Sequence, residues 1–79
     1  MVIRKGDVLN FRIQPGCLLA GMKGVCRIDS FEKSRRRGTV VYIDTKQEDG
    51  TYLRRFARFA PLEIAFAPID SDQYEVYTG

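Results

Sequence analysis

The stretch GVCRIDSFEKSRRRGTVVYIDT, residues 24–45, decides the fold. Its last seven residues, Thr39–Thr45, are rich in β-branched and aromatic side chains, the composition that fits a pleated, half-buried surface. Its first nine alternate. Cys26, Ile28 and Ser30 fall on one side, and Val25, Arg27, Asp29 and Phe31 on the other. Between the two runs lies Lys33-Ser34-Arg35-Arg36-Arg37-Gly38, polar and ending in glycine. Two strand-like runs around such a turn predict a β-hairpin with the three arginines at its tip.

Working outward, Val8–Ile13 alternates Leu9, Phe11 and Ile13 against Val8, Asn10 and Arg12, which predicts a strand with the odd positions inward. Turn signals recur every eight to twelve residues, from Lys5-Gly6-Asp7 through Glu48-Asp49-Gly50 to Asp70-Ser71-Asp72. Thr51–Ala60 reads two ways. Leu53, Phe56, Ala57 and Ala60 have the spacing of one helix face, with Pro61 as a stop. The Glu48-Asp49-Gly50 turn after a strong strand instead favours a returning strand, and a ten-residue helix is marginal. The strand is the better reading. Pro61-Leu62-Glu63-Ile64 predicts one short helical turn, with Pro at its first position. Ala65–Ala67 and Gln73–Tyr77 read as closing strands, the first ended by Pro68.

The expectation is one all-β domain spanning 1–79, a small barrel of five or six strands, since a closed sheet leaves no exposed edge. The order resembles that of the Src-homology-type small barrels, in which a single helical turn precedes the last strand. Lys5-Gly6-Asp7-Val8, followed by Ala20-Gly21-Met22-Lys23-Gly24-Val25-Cys26-Arg27-Ile28, also resembles the KOW motif of ribosomal and transcription-elongation proteins. The likeness covers residues 5–32, with Pro15–Ala20 longer than the usual spacing. It implies a small barrel fold, with RNA or polymerase as the kind of partner that family takes.

Composition narrows the chemistry. The 79 residues include no His and no Trp, so the side chain best suited to proton transfer near neutral pH is missing. Cys17 and Cys26 cannot form a four-ligand zinc set without histidine, and neither has a base to activate it as a nucleophile. We expect no catalytic residue, no metal and no cofactor. The chain length is similar to that of very small plasmid-borne reductases, barrels that build one active pore from four identical chains. Val41-Tyr42-Ile43 does not reproduce the pore motif of that family. Asp70, Asp72 and Glu75 lack the spacing and the glycine of a calcium loop, and read as a solvated acidic turn. No apolar run reaches the length of a signal peptide or a span, so the expectation is a cytoplasmic protein with reduced thiols and no membrane partner.

Charge points to a partner. The net charge is +3, but residues 1–40 carry +6 and residues 41–79 carry −3. The expected function is non-enzymatic binding of DNA or RNA. Its candidate contacts are Arg35, Arg36 and Arg37 at the tip, with Lys33, and a second group, Arg54, Arg55 and Arg58, interleaved with aromatics. These last arginines could instead pair with Asp44, Glu48 or Asp49 across a hairpin. The alternative is a protein-interaction or self-assembling module that uses Tyr52, Tyr74 and Tyr77. A chain of this size buries a limited core, so a homo-oligomer is also expected.

Overall fold

The computed structural model describes residues 1–53 and 57–79. Among them the chain is all β, with seven strands and no helix. These are β1 (Val8–Ile13), β2 (Lys23–Ser34), β3 (Gly38–Lys46), β4 (Tyr52–Leu53), β5 (Arg58–Phe59), β6 (Ile64–Ala67) and β7 (Glu75–Val76). All pairings are antiparallel, in the order β4-β3-β2-β1-β6-β7. β5 pairs with β3 further along the edge that β4 uses. Within Thr51–Ala60 the described strands are Tyr52–Leu53 and Arg58–Phe59, in keeping with the strand reading that the preceding turn favoured. Residues 54–56, which include Arg54 and Arg55, lie outside the described residues.

β1 follows its alternation: Leu9, Phe11 and Ile13 are buried. β2 departs from simple alternation, and the departure has a physical reason. From the tip, pairing runs Ser34 with Gly38 through Ser30 with Tyr42. Continued unchanged, that register would set Ile28 against Asp44. A bulge between Ile28 and Ser30 instead brings Ile28 opposite Ile43, apolar on apolar. The extra residue, Asp29, also reverses facing beyond it. Phe31 rather than Ser30 then sits opposite Val41 on the core side, still 38% exposed.

The bulge also helps β2 to bend. Straight, its 12 residues would span about 36 Å, as long as the molecule's greatest dimension of 36 Å. Yet the end of β1, which pairs with the start of β2, leads into a residue that bonds to Glu63, and so does the turn just after β2. Gln14 N–H donates to the Glu63 carbonyl at 2.9 Å, and the Arg37 guanidinium meets the Glu63 carboxylate at 2.7 Å. β2 must curl to allow both. The curled sheet brings Tyr77 to β3, where its hydroxyl donates to the Thr39 carbonyl at 2.8 Å. The Tyr77 ring meets Phe66 edge to face inside a core that includes Leu9, Phe11, Ile13, Cys26, Ile28, Val41, Ile43 and Ile64.

Three expectations change. Among the described residues the strands number seven, not five or six, because short β4 and β5 each pair with β3. The ladder does not close into a ring of hydrogen bonds: β7 pairs only with β6 among the described residues, and the approach to β3 is made by a side chain. Pro61–Glu63 is a turn and not a helical one, since Leu62 has φ 74°, which a right-handed turn cannot contain.

Candidate functional site

The β2–β3 hairpin places Arg35, Arg36 and Arg37 in its turn, as its sequence implies. Gly38 closes the turn at φ 81°, the left-handed region that glycine enters without penalty. Arg37 N–H donates to the Ser34 hydroxyl at 3.3 Å, which braces the loop from inside.

The three arginines are not equivalent. The Arg37 guanidinium is held by Glu63 Oε1 at 2.7 Å, and the same oxygen accepts the Ala60 N–H at 2.6 Å. Arg37 thus ties the tip to the turn before β6. Lys33, Arg35 and Arg36 are exposed and carry no ion pair among the described residues. They form a cluster of three cations within four positions. Arg58 is exposed too, but it sits opposite Tyr42, about 13 Å along β3 from Gly38. Arg58 therefore stands beside β3, four residues of that strand from the turn. Neighbouring Arg58, the Tyr42 hydroxyl donates to Glu32 at 3.3 Å, so that face carries mixed charge.

Two arginine–aromatic contacts lie elsewhere. Arg27 stacks on Tyr52 at 4.5 Å and reaches the buried Asp44 at 3.3 Å. Arg12 lies over Tyr74 at 4.4 Å. Asp44 thus pairs with Arg27, and Asp49 accepts from the Thr51 hydroxyl and N–H, which hold its carboxyl below the usual range. The three tyrosines offered as an exposed interface are differently placed: Tyr77 is core, and Tyr52 and Tyr74 are half-buried beneath arginines. Arg27 with Asp44 was hidden from sequence because only the bulge makes them partners. Nothing in the sequence marked Glu63 as the acceptor that joins the tip to the body.

An open cavity of ≈ 670 Å³ is lined by the N-terminal residues Met1–Ile3, by Phe31, Thr39 and Phe66, and by Glu75–Gly79. Its carboxylate, Glu75, pairs with the Met1 ammonium. Both cysteines are free, and burial pushes the Cys26 thiol up to about 12. No cluster of His, Cys, Asp or Glu suited to a metal occurs among the described residues, and no helix there is long and apolar enough to cross a membrane. No family model, curated protein or solved structure matches the chain.

Proposed function

We propose that the chain is a non-enzymatic, cytoplasmic binding module that grips nucleic-acid phosphates at the β2–β3 tip. In this reading Lys33, Arg35 and Arg36 make the contacts, and Arg37 positions the tip through Glu63. The curled sheet serves as a small barrel of the Src-homology type, with the KOW-like segment at 5–32 as its opening hairpin. The supporting observation is the cluster of three exposed cations, without ion pairs among the described residues, beside a fourth that is anchored. Such a cluster releases counterions when it meets a phosphate chain, and an anchored turn loses less freedom on binding.

Fluorescence anisotropy of labelled DNA and RNA oligonucleotides at low salt tests the reading. Wild type binds both, and R35A/R36A weakens binding by about tenfold or more, similarly across sequences. The melting curve stays nearly unchanged, because exposed turn residues contribute little to stability. Absence of binding at low salt, or an unaffected variant, overturns it.

A protein-interaction or self-assembling module is the second reading, and β7 favours it. Tyr77 donates its N–H to Ile64 of β6 and accepts the Leu62 N–H of the turn before it, so the neighbouring Val76 groups point away from the sheet at an edge beside the cavity. Association through that edge resists added salt, whereas phosphate binding does not.

A further inference from the structure

The loop between β1 and β2, QPGCLLAGM at residues 14–22, is built like a tethered knob. Its root is fastened. Ile13 N–H donates to Met22 O at 2.8 Å, Gly21 N–H to Ile13 O at 3.1 Å and Gln14 N–H to Glu63 O at 2.9 Å. Cys17 packs against the core. Its interior is a run of turns, with Ala20 N–H on Cys17 O and Met22 N–H on Leu19 O. The outward side chains of this ordered loop are apolar. Leu18 is 100% exposed, Leu19 55% and Met22 51%. Single exposed apolar residues are ordinary, but three on one fastened loop mark a contact surface.

The base of the loop says what kind of surface it meets. Arg12 and Lys23 are directly opposed across β1 and β2, so they share a face. Like charges so placed repel, and although Arg12 lies over the Tyr74 ring, neither has an ion pair among the described residues. No Asp or Glu occurs from Val8 to Ile28. An apolar tip above an unneutralised cationic collar complements a surface that is apolar within and anionic at its boundary.

We propose that this loop contacts an anionic lipid bilayer. Leu18, Leu19 and Met22 enter the headgroup–acyl boundary, and Arg12 and Lys23 meet the lipid phosphates and carboxylates. The contact is peripheral and needs no spanning segment, and it revises the expectation, drawn from the lack of such a segment, that no membrane partner exists. It is independent of the arginine tip, which uses different residues.

Co-sedimentation of the full chain with phosphatidylcholine vesicles, with and without about 30% phosphatidylserine, tests this. The chain pellets with the anionic vesicles and stays in solution with the neutral ones. L18S/L19S/M22S raises the lipid concentration needed for half-binding at least tenfold, and R12Q/K23Q abolishes the preference for phosphatidylserine. R35A/R36A keeps lipid binding, while the loop variants keep their melting curves and any oligonucleotide binding. The proposal is overturned if wild type does not pellet with anionic vesicles. It is also overturned if the serine variant binds them as well as wild type does. A third contradiction is a wild-type dimer that binds no lipid and that the serine variant converts to monomer, since a second copy then covers the loop.

Discussion

Glu63 shows how much one residue can organise in a chain of 79 residues. Its carboxylate takes Arg37 and the Ala60 N–H, and its carbonyl takes the Gln14 N–H and the Cys17 thiol. Two turns that carry exposed, unlike chemistry are thereby fixed to one residue at the start of β6. Cys26 is the opposite kind of residue, wholly buried in the core. Desolvation, opposed only in part by a backbone contact at Leu9, pushes its thiol from 9.0 up to about 12. The unfolded thiol ionises first as pH rises. Stability from the neutral, buried thiol is therefore complete below pH 9 and is lost between pH 9 and about 12. Urea denaturation of wild type and C26A should show a gap that narrows over that window, by on the order of 4 kcal/mol. A gap that stays constant would mean the thiol is not desolvated in the native protein.

At the scale of elements, the hairpin was legible and its register was not. The composition of Thr39–Thr45 and the turn at Arg35–Gly38 announce two antiparallel strands. The bulge at Asp29 could be recognised only by weighing Ile28 against Asp44 and Phe31 against the core, and both comparisons need the partner strand in place. Pro61 misled for a related reason. Proline opens a helix or a turn equally well, and the left-handed Leu62 is set by Tyr77, which accepts the Leu62 N–H fifteen residues away in sequence. The arginines of the tip could be found by composition, but the diversion of Arg37 to Glu63 is tertiary. The turn itself can be tested at Gly38. A Cβ there would lie 3.4 Å from Pro61 Cγ on a backbone with φ 81°. G38A should cost about 1–2 kcal/mol in chemical denaturation. No loss of stability would mean that the turn relaxes into another form.

At the scale of the whole molecule, the curl of β2 has a consequence for charge. It brings the hairpin tip and the β1–β2 loop to the same Glu63, although they extend from opposite ends of a 12-residue strand. Arg37 and the root of the loop, far apart along the strand, thus meet at one turn, where the Glu63 carboxylate neutralises Arg37. The most direct test of the phosphate-gripping tip is the slope of log affinity against log salt, measured by anisotropy for wild type, R35A/R36A and R37A. Each lost phosphate contact flattens that slope by about 0.7 for a single strand and 0.9 for a duplex. R35A/R36A should lower it by roughly 1.4 to 1.8, and R37A, already neutralised by Glu63, by much less. Equal slopes for wild type and R35A/R36A would contradict the account, because the phosphates would then lie against some other part of the surface.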